Sequence, residues 1–258
     1  MTPILLTDTV SQDLDRVLGY AGLWGVEGIE LRTVGGVQNR VPHVNERKLT
    51  SRLLDYDFPV LAIAPSLFEG VASDKAGWLN ELAALPEILQ FCRRMQCETV
   101  VVSGFAQEEA FPVEWAAEAL QRAGDAAAQT DVTLAVLNEP AMAHATGTAL
   151  ANLLDLVDHA QVRAAWSPMT AWQAGEDPSA GLAELAHHVH LVRCRDGKRS
   201  GDAWADTTLG EGDLGWRSHL AQLRRTGFDG LVSLEVFTEK PAKSGLRSAT
   251  NLIRLAHG

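Results

Sequence analysis

The 258-residue sequence has only three cysteines, Cys92, Cys97 and Cys194, and none belongs to a CxxC pair. An odd number without that spacing predicts neither a disulfide framework nor a structural zinc site. We therefore expect buried, reduced thiols, as in a cytoplasmic protein.

Long apolar runs and a leading basic segment are also missing. No apolar stretch approaches the ~20 residues that a membrane-spanning helix needs. The first ten residues lack a basic residue and include Asp8, which is unlike a signal peptide. These features predict a cytoplasmic protein without a membrane partner.

Basic residues are outnumbered, at 22 against 33 acidic residues, giving a formal charge of −11. Such a surface repels phosphate backbones and anionic lipids, so we expect no nucleic-acid partner. A glycine-rich phosphate loop is missing from the position where a nucleotide-binding sheet has it. No GxGxxG follows the first apolar run and no GxxxxGK[ST] occurs, which disfavours an open, doubly wound nucleotide-binding sheet.

What the sequence does contain is a regular alternation of short apolar runs and longer amphipathic stretches. The predicted strands are 4–7, 28–32, 59–66, 98–104, 132–137, 162–167, 188–194 and 230–237. The predicted helices are 10–22, 45–57, 74–96, 112–130, 146–160, 178–187, 214–226 and 245–256. Eight such pairs predict a parallel sheet with helices outside it.

The length favours closing that sheet, since a (β/α)8 TIM barrel typically has about 250 residues. No linker or change in composition divides the chain. We therefore predict an α/β protein consisting of a single TIM-barrel domain over residues 1–258, with a polar loop at 195–213. The doubly wound sheet is the structural alternative.

Active sites of such barrels lie at the carboxyl ends of the strands. Polar or aromatic candidates near those ends are Glu30, Arg32, Asn138, Glu139, Trp166, Ser167, His188, His190, Arg193, Arg195 and Glu235. Glu235 is the most informative of them, because it follows an apolar run in a strand expected to be buried on both faces. A charge there requires a partner or a function.

The chain resembles one protein family over most of its length, and three segments carry the resemblance. LGEGDLGWRSHLAQLRRTGFDGLVSLEVF (209–237) is similar to the "LGEGD–W…GYDG–LSLE" segment of the xylose isomerase-like TIM barrels. GVEGIELR (25–32) is similar to that family's second strand, and HVHLVRCRD (188–196) to its "vHvKD" on strand 7. The family includes sugar isomerases, 3-epimerases and inosose dehydratases.

The resemblance implies a divalent metal, Mn, Mg or Zn, held by Glu, Asp, His and Glu on strands 5 to 8. It also implies proton removal next to a carbonyl group, with the two glutamates as acid and base. Glu235 and His190 match the last two ligands. Leu137 and Ser167 stand where the first two should be, and Thr170 replaces an accessory histidine.

These replacements weaken the expected metal site. One imidazole and one carboxylate provide two contacts, whereas a serine hydroxyl is a poor neutral substitute for a carboxylate. A shifted site of Glu139, His190 and Glu235 would restore three ligands. A weaker similarity, of LNEP (137–140) to barrel glycosidases, would make Glu139 an acid with Glu235 as the second carboxylate.

Three functions remain open from the sequence. The first is a sugar isomerase, epimerase or related lyase acting on a small sugar, polyol or keto-sugar, with Glu235 and His190 catalytic. In it, substrate would be bound by Glu30, Arg32, Trp166 and Arg193. The second is a non-catalytic barrel that binds a sugar-like ligand or a partner subunit. The third is an enzyme whose chemistry has moved away from the metal, such as a hydrolase or aldolase, although a Schiff-base aldolase is disfavoured because no lysine lies in a predicted strand. Homo-oligomer formation is left open.

Overall fold

Strands and helices alternate along the chain in the computed structural model, which describes residues 1–201 and 203–258. Its strands are β1 (Thr2–Leu6), β2 (Gly28–Leu31), β3 (Val60–Ile63), β4 (Thr99–Ser103), β5 (Thr133–Leu137), β6 (Val162–Trp166), β7 (Val189–Cys194), β8 (Asp196–Ser200), β9 (Ala203–Thr207) and β10 (Leu231–Leu234). Its helices are α1 (Leu14–Trp24), α2 (Glu46–Tyr56), α3 (Lys75–Met95), α4 (Val113–Ala127), α5 (Gly147–Val157), α6 (Pro168–Gln173), α7 (Pro178–Leu185), α8 (Trp216–Arg225) and α9 (Pro241–His257).

The strands close into a parallel barrel in the order β1-β10-β7-β6-β5-β4-β3-β2. Closure is made by β1, which pairs with β10 on one side and with β2 on the other. Ile4 stands opposite Ser233 in the first pairing and opposite Gly28 in the second. The predicted TIM-barrel fold is therefore confirmed, and the doubly wound open sheet is wrong.

Contacts divide the chain into two compact units. The first consists of Met1–Leu61 and Val192–Gly258, and the second of Ala62–Leu191. Each group of polar side chains described below lies within one of these units.

The first helix shows how local chemistry sets the boundaries. Asp13 caps α1 by accepting a hydrogen bond from the backbone N–H of Arg16 at 3.2 Å, which satisfies one of the free donors of the first turn. Gly25 ends it at φ 77°, a left-handed conformation that suits glycine. The helix therefore occupies 14–24 rather than the predicted 10–22.

Six of the barrel strands end earlier than predicted, among them β2 at Leu31, β6 at Trp166 and β10 at Leu234. The residues that follow these three strands directly are Arg32, Ser167 and Glu235. These side chains thus leave the barrel at the carboxyl ends of their strands, where the active sites of TIM barrels are built.

The predicted polar loop at 195–213 is wrong over its first half, because β8 and β9 form an antiparallel hairpin there. Asp196 pairs with Thr207 at one end and Ser200 with Ala203 at the other, while Asp202 lies outside the described residues. Arg195 holds Asp206 through two hydrogen bonds of 2.6 and 3.0 Å. Polar composition hid these strands from a search for apolar alternation.

The cysteines agree with the expectation of buried thiols, since Cys92, Cys97 and Cys194 are all buried and free of disulfides. Burial raises the pKa of the Cys194 thiol well above its ordinary value. Of the helices within the described residues, none combines the length and apolarity needed to cross a membrane.

Candidate functional site

A buried arginine lies between two glutamates in the first unit. Arg193 on β7 donates from Nη2 to Glu30 Oε1 at 2.5 Å and from Nη1 to Glu235 Oε1 at 3.1 Å. Ser233 on β10 donates to the other oxygen of Glu30 at 2.6 Å. Exposure of the side chains is 0% for Glu30, 2% for Arg193 and 12% for Glu235. We call these four residues the Arg193 cluster.

The cluster carries two carboxylates and one guanidinium. Burial raises the pKa of Glu30, because a charge without water is costly, while Arg193 and the Ser233 hydroxyl oppose that rise. The nearby Glu235 carboxylate adds to it. Glu235 is held in place by its backbone N–H, which donates to Cys194 O at 3.0 Å.

Arg193 also keeps one donor unused. Its Nε is buried and has no hydrogen-bond partner among the described residues. A buried donor without an acceptor is rare in folded proteins and calls for an explanation. Within the described part of the chain nothing supplies that acceptor, which leaves it to a water molecule or another bound oxygen.

Arg32, the other basic residue predicted to bind substrate, is already engaged. It forms a two-bond pair with Asp8, from Nε at 2.9 Å and from Nη2 at 3.0 Å. The Thr33 hydroxyl also donates to Asp8, at 2.9 Å. Asp8 was not among the predicted site residues, although its place directly after the first apolar run was a usable signal.

In the second unit, the polar residues that follow β5 are used to join strand ends. Asn138 is fully buried, accepts from the backbone N–H of Ser167 at 2.6 Å and donates to Ser167 O at 2.9 Å. It donates to Ala145 O as well, at 3.1 Å. Glu139 accepts a 2.8 Å hydrogen bond from Ser103 at the end of β4.

The two positions where the family has metal-binding carboxylates have structural roles here. Ser167 caps α6, accepting from the backbone N–H of Thr170 at 3.3 Å and from its hydroxyl at 2.9 Å. Leu137 is buried at the end of β5, and Trp166, predicted to bind substrate, is completely buried in β6. None of these side chains presents an anionic donor.

His190 lies elsewhere in the second unit. Its Nε2 is 2.9 Å from the hydroxyl of Thr99, the first residue of β4, and burial lowers the pKa of the imidazole. The Glu139 partner Ser103 is the last residue of that strand, about 13 Å further along at 3.3 Å per residue. The structure thus does not bring His190 and Glu139 together.

The LGEGD motif, which opens the segment with the strongest family resemblance, folds around Asp196. This carboxylate is buried and accepts from the backbone N–H groups of Gly197 at 2.9 Å, Gly210 at 2.8 Å and Gly212 at 3.1 Å. Burial raises its pKa, and these hydrogen bonds oppose the rise. The LGEGD motif is therefore a loop folded around one carboxylate.

This chain belongs to the family of xylose isomerase-like TIM barrels, whose profile matches residues 20–255. No curated protein sequence matches it significantly. Its similarity to solved structures is one of fold, because the identities are low.

Three of those structures illustrate the range. The IOLI protein with a bound zinc atom has a TM-score of 0.82 at 17% identity, covering 99% of this chain and 98% of that one. The probable 3-DHS dehydratase AsbF from Bacillus anthracis has a TM-score of 0.79 at 16% identity, with 98% and 99% covered. An L-ribulose 3-epimerase has a TM-score of 0.79 at 15% identity, with 100% and 95% covered.

The family metal does not fit the residues present. The Lys-Asp end of the "vHvKD" motif matches Arg195 and Asp196, which sets its histidine against Arg193 rather than His190. Arg193 is also the β7 residue that contacts Glu235. A guanidinium has no lone pair to offer a metal and carries a positive charge itself. The Arg193 cluster is therefore unsuited to binding the family metal.

Proposed function

We propose that this protein is a metal-independent member of its family that acts on a small sugar, polyol or keto-sugar at the Arg193 cluster, by proton transfer next to a carbonyl group. One observation carries the proposal: Arg193 places a fixed cation with an unused donor between Glu30 and Glu235. The relatives of known structure that are an epimerase and a dehydratase support the substrate class.

Glu235 is the proton acceptor in this proposal. It is the less buried of the two carboxylates, so a ligand can reach it. Its carboxylate takes the proton from the carbon beside the carbonyl, and the electron pair moves to the carbonyl oxygen. The resulting negative charge is stabilised by the Arg193 guanidinium, which buried surroundings make more effective.

Glu30 acts on Arg193 rather than on substrate. It is inaccessible, and its two oxygens accept from Arg193 and Ser233. With a single accessible carboxylate, the proton returns to the face from which it was taken. This arrangement favours transfer between adjacent carbons, as in aldose–ketose isomerisation, over inversion at one carbon, which needs groups on both faces. Glu235 delivers the proton to the former carbonyl carbon, and the proton of the neighbouring hydroxyl group passes to the former carbonyl oxygen, so that hydroxyl and carbonyl exchange places.

The test is exchange of substrate hydrogen with deuterated solvent, followed by NMR over a panel of aldoses, ketoses and inososes. We expect exchange at the carbon beside the carbonyl in protein treated with EDTA. Glu235→Gln should abolish it and Arg193→Lys should reduce it strongly. Glu211→Gln, in an exposed pair with Arg247, is the matched control and should exchange as the unmodified protein does.

A non-catalytic barrel is the second candidate, favoured by the way the Arg193 cluster satisfies its own charges. Both carboxylates are paired with Arg193, and little of the cluster meets solvent. This candidate predicts a rise in melting temperature with sugar-like ligands but no solvent exchange in any of them. Exchange that requires added Mn²⁺ or Mg²⁺ would contradict both candidates as stated.

A further inference from the structure

Two adjacent histidines and an aspartate meet in the second unit, away from the carboxyl ends of the strands. Asp155 lies in the last turn of α5, and His187 and His188 directly precede β7. One ligand atom from each residue lies within 4.8 Å of the other two. We call Asp155, His187 and His188 the His-His-Asp cluster.

Distances within the cluster fit a zinc ion. Asp155 Oδ1 is 2.8 Å from His188 Nε2 and 3.7 Å from His187 Nε2. Ligand atoms in a tetrahedral zinc site, bound at about 2.0–2.1 Å, stand about 3.3 Å apart. These two distances lie on either side of that value, and all three ligand atoms are within 4.8 Å of one another, so side-chain adjustments of about 1.5 Å or less would seat the ion.

The types of side chain also suit a cation. Asp155 offers a carboxylate oxygen, and both histidines turn Nε2 toward it. An imidazole offers Nε2 to a metal when its proton is on Nδ1.

Arg163 is the charge beside the cluster that opposes binding, and its guanidinium is engaged by a backbone carbonyl instead of by the ligand atoms. One of its Nη atoms donates to the backbone carbonyl of His187. The positions of the two rings are constrained too, because the backbone N–H of His188 donates to Leu185 O at 2.9 Å. Their ring centroids lie 4.0 Å apart.

We propose that the His-His-Asp cluster is a zinc-binding site that joins the end of α5 to the start of β7. Two imidazoles, one carboxylate and a water molecule complete a tetrahedral set, a combination that suits zinc better than Mg²⁺ or Ca²⁺. The site shares no residue with the Arg193 cluster, and the proposal is independent of the proposed function. Its effect is to stabilise the folded state, because the three ligands meet only there.

Zinc alone is the probe, titrated calorimetrically into the full chain after EDTA treatment and dialysis. We expect one equivalent to bind, and the melting temperature to rise with zinc concentration. His187→Ala should weaken binding by about tenfold or more, since it removes one of three ligands. His187 is largely exposed, so this variant should keep its fold, checked by circular dichroism.

His257→Ala is the matched control, because His257 forms an exposed pair with Glu27 at 3.4 Å and has no second imidazole. It should bind zinc as the unmodified protein does, and so should Glu235→Gln. Co²⁺ in place of zinc should give the visible spectrum of tetrahedral coordination, lost in Asp155→Asn. Equal zinc affinity in His187→Ala, or zinc binding that depends on Glu235, would overturn the proposal.

Discussion

The guanidinium of Arg193 donates to the carboxylate of Glu30 across 2.5 Å, and neither side chain is more than 2% exposed. Each charge has given up its water, so each depends on the other for compensation. Glu235 shares the same guanidinium. Replacing a residue of this cluster therefore changes the charge balance of its partners as well.

Replacing Arg193 by methionine should cost about 3–5 kcal/mol of stability, because it leaves buried carboxylate without a counter-charge. The free energy of unfolding in urea at pH 7 measures this. Arg193→Lys should lose less, since it keeps the charge but not the two-pronged geometry. Arg247→Met, which breaks the exposed pair with Glu211, should cost no more than about 1 kcal/mol. Equal losses at positions 193 and 247 would contradict the burial argument.

Glu30→Gln should change the pH dependence of stability. The folded protein holds the Glu30 proton more tightly than the unfolded chain, because burial raises the pKa above its ordinary value of 4.5. The corresponding stabilisation is complete below that value and is lost as pH rises through the raised pKa. The stability of Glu30→Gln relative to the unmodified protein should therefore increase as pH rises from 4.5. The stabilities of the two proteins are compared through their urea midpoints between about pH 4.5 and 8. A stability difference that stays constant or falls over this range would contradict the prediction.

Asn138→Ala should destabilise the protein by about 2–4 kcal/mol, since it leaves the buried backbone N–H of Ser167 without an acceptor and removes a donor from the carbonyl groups of Ser167 and Ala145. Asn138→Asp should not restore the lost stability, because it replaces the donating Nδ2 by an oxygen that faces two carbonyl oxygens. Urea unfolding measures both variants. Gln107→Ala serves as an exposed amide control, with a loss within about 0.5 kcal/mol. A comparable loss at Gln107 would refute the structural role given to Asn138.

Gly212→Ala should disturb the loop around Asp196. A Cβ at position 212 would stand 2.0 Å from Asp196 Oδ1 and 2.6 Å from Gly197 O, so the carboxylate would have to move. We expect a loss of about 1–3 kcal/mol, measured by thermal and urea unfolding. Gly70→Ala is the control, since a Cβ there meets nothing within 4 Å. If Gly212→Ala unfolds like Gly70→Ala, Asp196 does not hold this loop as described.

The barrel was predictable because its signal is spread over the chain. Each strand is a short apolar run between amphipathic stretches, and an error of two residues in one boundary leaves the alternation intact. The hairpin of β8 and β9 was not predictable in this way, because DGKRS and AWADT lack the apolar face that marks a strand. Its pairing depends on tertiary contacts such as Arg195 with Asp206.

The candidate site was harder to predict than the barrel, because it depends on which residues of each strand are brought together. The sequence identified Glu30, Arg193 and Glu235 as residues at strand ends, and the structure brings these three together. The sequence could not tell which β7 residue faces Glu235. Aligning the histidine of the family motif with a histidine of this chain favours His190 over Arg193. A shift of three residues along one strand separates these interpretations, and periodicity cannot detect it.

Asp196 and its ring of backbone N–H groups have a consequence for how activities are assigned. The LGEGD motif, which opens the segment that most clearly marks this chain as a family member, is held by a buried carboxylate and contributes no group to the proposed proton transfer. A homologue can keep that motif while its reacting groups change. Before an activity is assigned from one relative to another, the residues at positions 137, 167, 193 and 235 should be compared. Overall similarity is not enough.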